Sequence, residues 1–184
     1  FGQDGSFSWE DLSARYQAEL ANGFGNLASR TTAMIEKYFA GIVPPPAAYT
    51  EGDLGIQRTV ADAASAADAA MERFRPDEAI AAIWTIVDAL NGYITENAPW
   101  ALAKNDAQRA RLATVLYTAA EGLRALAVLL SPVMPIATEK LWVALGHAGR
   151  LQDQPLREAG SWGVLVPGTS VNGIEPLFPR IEQP

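Results

Sequence analysis

Along most of the chain, apolar residues recur at the three- and four-residue spacings of an α-helix. The first apolar stripe opens at Ser8, a typical helix-capping residue, and continues to Tyr38. Gly23 and Gly25 interrupt it, so we expect a kink or a close contact at this point. The proline-rich run at 43–49 cannot be helical and predicts a loop.

The same periodicity predicts four further helices, at about 52–73, from Pro76 to Ala98, at about 106–131 and from about Pro135 to Leu145. The predicted fold is therefore all-α, with residues 1–150 forming a five-helix antiparallel bundle. Residues 151–184 are rich in Gly and Pro and show no period, so they predict an extended tail laid over the bundle. The segment 176–182 is apolar enough that we expect it to dock, either on the bundle or on a neighbour outside this chain.

Composition excludes several kinds of chemistry. There is no cysteine and a single histidine, which rules out disulfides, thiolate catalysis and an ordinary zinc site. His147 stands between two glycines, where we expect a helix C-terminus. No apolar run reaches the roughly 18 residues of a membrane helix, and no signal-peptide pattern opens the chain. The first residue is Phe rather than Met, which suggests a piece of a longer protein.

The net charge of −7 argues against broad, sequence-independent binding of nucleic acid, and we expect no DNA partner. It leaves room for a small local site. Of the 14 basic residues 11 are arginine, the side chain best suited to recognising planar groups and phosphates.

Two features are candidates for such a site. Asn22, Asn26 and Arg30 are spaced by four, which places them on one face of the first helix. Trp100 follows Pro99, where a helix must end. Each feature has an ordinary explanation: a solvated flank whose arginine pairs with a carboxylate, and a plug for the end of the bundle. Together they match the way proteins bind single-stranded RNA, by stacking bases on aromatics and reading base edges with amides and guanidinium groups.

Four sequence blocks carry a family resemblance: GFGNLASR at 23–30, NAPWALAKND at 97–106, SPVMPIATEKLW at 131–142 and PLFPRIE at 176–182. In order and spacing they resemble the C-terminal anticodon-binding domain of bacterial methionyl-tRNA synthetases, a class I aminoacyl-tRNA synthetase family. The resemblance covers nearly the whole chain. The blocks N-L-A-S-R and A-P-W-x-x-A-K together separate it from the related synthetases for leucine, isoleucine, valine and cysteine.

The resemblance implies a role for four residues. Trp100 would stack on the first base of the CAU anticodon, and Pro99 would fix its loop. Asn26 and Arg30 would contact that base and its surroundings, so that cytosine is preferred. Charge alone, without support from the family pattern, suggests Lys104 and Arg109 as phosphate contacts.

The resemblance also implies a parent protein, a cytoplasmic methionine–tRNA ligase that uses ATP and magnesium. The HIGH and KMSKS signatures of its catalytic domain are missing here, so we expect no catalytic residue, cofactor or metal in this chain. Expected partners are the anticodon loop of methionine tRNA and the parent's catalytic domain, towards which the tail at 151–184 would return. The competing interpretation is a helical interaction module of a larger assembly, or a small helical enzyme, with Trp100 buried.

Overall fold

The computed structural model describes residues 8–180. Its helices are α1 (Trp9–Arg15), a π-helical stretch (Tyr16–Gly25), α2 (Asn26–Phe39), α3 (Glu51–Glu72), α4 (Pro76–Asn97), α5 (Pro99–Leu102), α6 (Arg109–Leu130) and α7 (Pro135–Ala144). Single turns of 3-10 helix are Asp106–Gln108, Leu151–Asp153 and Leu156–Glu158. The backbone stays right-handed from α1 through α2, so these form one long helix. Within residues 8–180 the all-α prediction is confirmed: the long helix, α3, α4, α6 and α7 are the five expected.

Local signals set most helix ends. The side chain of Ser8 accepts a hydrogen bond from the N–H of Asp11 at 3.3 Å, as its capping position predicts. Pro76 occupies the first turn of α4, where its missing N–H has no helical partner to lose. By contrast α2 and α4 end at Ala40 and Ala98, whose φ angles of 52° and 41° are left-handed. The sequence did not predict these two conformations, because alanine carries no signal for them.

The irregularity expected around two glycines is a π-helical stretch. It ends at Gly25, where the last segment of the chain comes close. A Cβ atom at Gly25 would lie 3.0 Å from the carbonyl oxygen of Leu20 and 3.1 Å from the ring of Phe178. The missing side chain therefore gives the tail room to pack against the long helix.

Helix α6 is the centre of the core. All of its residues from Leu112 to Leu130 are buried, and α2, α3, α4 and α7 pack around it. The stretch Asp106–Leu130 is long and apolar enough to cross a membrane, but its apolar window is 100% buried by the rest of the protein. Complete burial is what the central helix of a bundle shows.

A buried ion pair on α6 holds the beginning of the tail. The carboxylate of Glu121 accepts the N–H groups of Gly163, Val164 and Leu165 at 3.0, 3.1 and 2.8 Å. Arg124 donates to Glu121 at 2.6 Å, and also to two carbonyl groups of the tail. Both side chains are at most 2% exposed, so the interactions that offset the cost of burying these charges come from groups inside the protein.

The docking expected for 176–182 is seen in its described part, residues 176–180. Leu177 is buried, and the ring of Phe178 lies 6.0 Å from that of Phe24. The hydroxyl of Tyr16 donates to the carbonyl of Pro179 at 2.9 Å. Residues 181 and 182 of this segment lie outside the described part. The tail therefore packs on the π-helical stretch, on the same long helix that carries Asn26.

Candidate nucleic-acid interface

Trp100 lies just beyond the C-terminus of α4. The helix ends at Asn97, Ala98 turns the chain with φ 41° and ψ 63°, and Pro99 begins the single turn of α5. Pro99 is buried, while the indole of Trp100 is 42% exposed. The proline is thus the apolar plug, and its fixed φ starts a turn that presents the next side chain to solvent.

Arg30 on α2 meets this indole from another helix. Its guanidinium carbon lies 5.5 Å from the centroid of the Trp100 ring, within the range of a cation–π contact. Among residues 8–180 no carboxylate lies within salt-bridge distance of Arg30, unlike seven other basic–acidic pairs that the structure forms. The guanidinium therefore keeps its five donors for a ligand while it borders the aromatic face.

The two asparagines lie on the preceding turns of the same long helix. Asn22 and Asn26 are exposed and line one groove of about 440 Å³, together with Ser29 and the tail residues Phe178 and Arg180. In the described part of the chain neither side-chain amide has a hydrogen-bond partner. Each can therefore offer one acceptor and two donors to a bound molecule. Arg30 does not line this groove, but it follows Asn26 by four residues on the same helix face and leads from the groove to the Trp100 ring.

The two candidate phosphate contacts differ in how far they are already engaged. Arg109 donates to the carbonyl of Tyr38 at 3.3 Å, and its guanidinium lies 4.7 Å from the ring centroid of Phe39. It therefore joins α6 to the C-terminus of α2, where a positive charge also favours the helix dipole. Lys104 is exposed in the turn after α5 and has no salt bridge within residues 8–180. Of the two, only Lys104 keeps its charge fully available.

Sequence reasoning missed a polar network next to Trp100. The carboxylate of Asp53 is fully buried and binds the guanidinium of Arg111 at 2.5 Å. Arg111 also donates to the side chain of Asn97, at 2.6 Å. The pattern Thr50-x-x-Asp53 is a capping signal that could have marked the start of α3. No local pattern in the sequence shows that Arg111 pairs with Asp53, since the two residues are 58 positions apart.

The pKa of Asp53 reflects this environment. Burial alone would raise it, but hydrogen bonds from Arg111, Tyr93 and Thr50 outweigh burial and hold the pKa of the Asp53 carboxyl below its ordinary value. Burial and the hydrogen bond to ionised Asp53 raise the pKa of Tyr93, so its hydroxyl stays protonated. At neutral pH the network is a carboxylate surrounded by donors.

The single histidine lies at the helix end that the sequence predicts. Its backbone N–H donates to the carbonyl of Trp142 and that of Gly146 to the carbonyl of Val143, the two bonds of a Schellman motif closing α7. The imidazole stacks on Trp142 with ring centroids 4.0 Å apart. Burial, together with the charge of Arg124, lowers the pKa of His147 to about 4, so the ring is neutral at pH 7. Backbone geometry and packing, rather than a charged imidazole on the helix dipole, explain its place.

A family model described as the anticodon-binding domain of tRNA ligases matches residues 53–167. The methionine–tRNA ligase of Streptomyces coelicolor is 49% identical over 189 aligned residues, and that of Caldanaerobacter subterraneus subsp. tengcongensis is 41% identical over 182. These alignments cover 100% and 99% of this chain but 35% and 28% of the relatives. The chain therefore spans about a third of the length of the curated relatives it matches.

Solved structures extend the likeness to the fold. The apo form of Mycobacterium tuberculosis methionyl-tRNA synthetase superposes with a TM-score of 0.92 at 33% identity, covering 100% of this chain and 37% of that one. The same synthetase bound by methionyl-adenylate gives a TM-score of 0.90 at 33% identity, covering 97% and 35%. The similarity thus reaches beyond residues 53–167 to the long helix that carries Asn26 and Arg30.

Proposed function

Since the chain belongs to the family of anticodon-binding domains of tRNA ligases, we propose that it is the part of a methionine–tRNA ligase that recognises the CAU anticodon. The assignment to a ligase specific for methionine is supported by the relatives, which are methionine–tRNA ligases with 49% and 41% identity to this chain. The choice of anticodon is supported by the site, whose chemistry suits an unpaired base.

The observation that carries the proposal is the pairing of Trp100 with Arg30. A half-exposed indole offers a flat face for an unstacked base, and the adjacent guanidinium offers directed donors to the base edge. Cytosine presents two acceptors and one amino donor on its Watson–Crick edge. Arg30 can donate to the acceptors while the Asn26 amide accepts from the amino group, and this combination prefers cytosine over uracil, which lacks the amino group.

The reaction of the whole ligase belongs to the rest of the parent protein. We propose that its catalytic domain, which this chain lacks, activates methionine with ATP and magnesium in the cytoplasm and esterifies the tRNA. In this scheme the chain supplies none of the reacting groups, and its tail at 151–184 leads back towards the catalytic domain. Its contribution is specificity: correct stacking and edge contacts keep cognate tRNA bound long enough for transfer.

The test is a titration of the 184-residue chain with a fluorescently labelled CAU anticodon stem-loop. Trp100→Ala should weaken binding by about 5- to 150-fold, the equivalent of roughly 1–3 kcal/mol for one base–aromatic stack. Trp100→Phe keeps a stacking face and should lose much less. An unchanged affinity in Trp100→Ala would reject the stacking role and with it the proposed mode of recognition.

The competing function is a protein-interaction module. It requires Trp100 to be an internal plug, whereas the ring is 42% exposed and faces an arginine that has no carboxylate partner within residues 8–180. A small helical enzyme would need reactive groups open to a substrate, whereas the titratable side chains that converge in the described part of the chain, such as Asp53 and Tyr93, are buried and hydrogen-bonded to each other. RNA recognition is therefore the function that the geometry favours.

A further inference from the structure

A buried hydrogen-bond network ends next to the turn that carries Trp100. Its centre is the carboxylate of Asp53 on α3, which is 0% exposed. This carboxylate accepts hydrogen bonds from the backbone N–H and hydroxyl of Thr50 at 2.6 and 2.9 Å, from the Tyr93 hydroxyl, and from Arg111 at 2.5 Å. With four donors around it, the carboxylate is a rigid anchor.

The guanidinium of Arg111 connects this anchor to the end of α4. One of its terminal nitrogens binds Asp53, and the other donates to the side-chain oxygen of Asn97 at 2.6 Å. The amide nitrogen of Asn97 in turn donates to the carbonyl of Tyr93 at 2.9 Å. A planar guanidinium with a fixed fork thus holds α3, α4 and α6 in one arrangement.

Only two residues separate Asn97 from the indole. Ala98 occupies a left-handed conformation, and Pro99 is locked by its ring and buried against the bundle. Little freedom remains between the side chain that Arg111 holds and Trp100. The direction of the indole is therefore tied to the position of Asn97.

Stability alone is a weak reason for such a network. Burying a charged pair costs desolvation that its attraction often fails to repay, and apolar replacements are frequently as stable. What charged, directional partners supply is a unique geometry. That benefit matters most where a side chain must be held in place without being buried.

We propose that Arg111 and Asn97 are positioning residues that hold the Trp100 ring in the orientation needed to stack on the anticodon base, a role that rests on the proposed function. The hydrogen bonds that the structure shows for their side chains go to protein groups of the network. Their effect is on the fraction of molecules in which the Trp100 ring is oriented for stacking, and the apparent affinity falls in proportion to that fraction.

Asn97→Ala is the informative variant, because it cuts the link to α4 while leaving Asp53 paired with Arg111. The matched control is Asn91→Ala. The Asn91 amide donates to the carbonyl of Val87 at 3.0 Å, the same bond within α4 that Asn97 makes, but it has no link to Arg111. Asn97→Asp completes the series, since it keeps an acceptor for Arg111 while a negative charge takes the place of the amide donor.

Two readouts are measured on the 184-residue chain. The first is the fluorine NMR spectrum of 5-fluorotryptophan-labelled protein, in which Trp100→Phe identifies the Trp100 resonance. In Asn97→Ala this resonance should shift and broaden while those of Trp84, Trp142 and Trp162 stay in place. The second is affinity for the CAU stem-loop. In Asn97→Ala it should fall about 3- to 10-fold if the Trp100 ring is oriented for stacking a third to a tenth of the time. Asn91→Ala should match the wild type in both, and Asn97→Asp should recover most of the affinity.

The outcomes separate this inference from the function on which it rests. If Asn97→Ala resembles Asn91→Ala in both spectrum and affinity while Trp100→Ala still loses binding, the positioning role is wrong and the stacking role stands. If the Trp100 resonance moves as expected but Trp100→Ala binds as well as the wild type, the network positions the ring and the proposed function is wrong. Collapse of all tryptophan resonances to nearly one chemical shift in Asn97→Ala but not in Asn97→Asp would show a role in folding, which contradicts positioning.

Discussion

At the scale of single residues, the proposed site assigns different roles to two kinds of group. In this proposal Trp100 supplies a face that accepts any base, because every base has an aromatic surface. Arg30 and Asn26 would supply directed hydrogen-bond groups, and those can tell one base from another. Affinity and selectivity should therefore respond differently to substitution at these positions.

Asn26→Ala tests this division. It removes an exposed amide without touching the core, so stability should change little. Changing the first anticodon base from cytosine to uracil should weaken binding by the wild type, and much less by Asn26→Ala, because the lost acceptor is the one that reads the cytosine amino group. Paired titrations with both stem-loops measure the ratio of the two affinities. Asn22→Ala is the control on the same groove, and equal ratios in wild type and Asn26→Ala would remove Asn26 from the readout.

At the scale of secondary-structure elements, the unusual backbone conformations lie at the ends of helices. Between residues 8 and 180, three non-glycine residues have left-handed backbones: Ala40, Phe74 and Ala98. Each follows the end of a helix, at a position where glycine is the usual residue. Ala98 precedes the turn that carries Trp100, so its strain is the one tied to the proposed site.

Replacing Ala98 by Gly should stabilise the chain. Glycine removes the cost of a left-handed alanine, roughly 1–2 kcal/mol, and gives up about 0.4–1 kcal/mol through the greater entropy of the unfolded chain, for a net gain of up to about 1.6 kcal/mol. Urea unfolding followed by circular dichroism measures it. Ala66→Gly, at an exposed right-handed position in the middle of α3, should instead lose about 1 kcal/mol. A loss of stability in both variants would show that Ala98 is not strained.

The elements themselves were largely predictable from the sequence. Periodicity and proline positions placed all five helices, since an apolar stripe has to face a core whatever its neighbours are. An irregularity at Gly23 and Gly25 was predicted, but its π-helical form and the left-handed alanines were not, because the local sequence carries no signal for them. The buried ion pair of Glu121 and Arg124 on α6 was also not predicted, because the tail groups that it binds lie 35 to 44 residues away in the sequence.

For the candidate site too, the sequence predicted what depends on local signals and not the contacts between distant segments. Pro99 marked a helix end, which singled out Trp100 as a residue near the surface. The four-residue spacing placed Asn26 and Arg30 on one helix. The contact between Arg30 and Trp100 joins segments 70 residues apart, and the hypothesis of RNA binding was what linked them. The Asp53–Arg111–Asn97 connection had no such guide, and only the structure reveals it.

At the scale of the whole molecule, charge sets the kind of binding that is available. A net charge of −7 repels a phosphate backbone at long range, so local contacts have to supply the affinity. Lys104 is the better candidate for a phosphate contact, because Arg109 is engaged with the C-terminus of α2. Removing Arg109 would disturb the helix junction as well as the charge, and the result would have two causes.

Lys104→Gln therefore isolates the electrostatic part of binding. For single-stranded nucleic acid, each neutralised phosphate contributes about −0.7 to the slope of log affinity against log salt concentration, so this variant should make the slope shallower by about 0.7. Lys140→Gln, on α7, changes the net charge of the chain by the same single unit and should leave the slope unaltered, because no part of the proposed site lies on α7. Titrations of the CAU stem-loop at several salt concentrations give both slopes. If the two variants shift the slope equally, the effect comes from net charge alone and Lys104 contacts no phosphate.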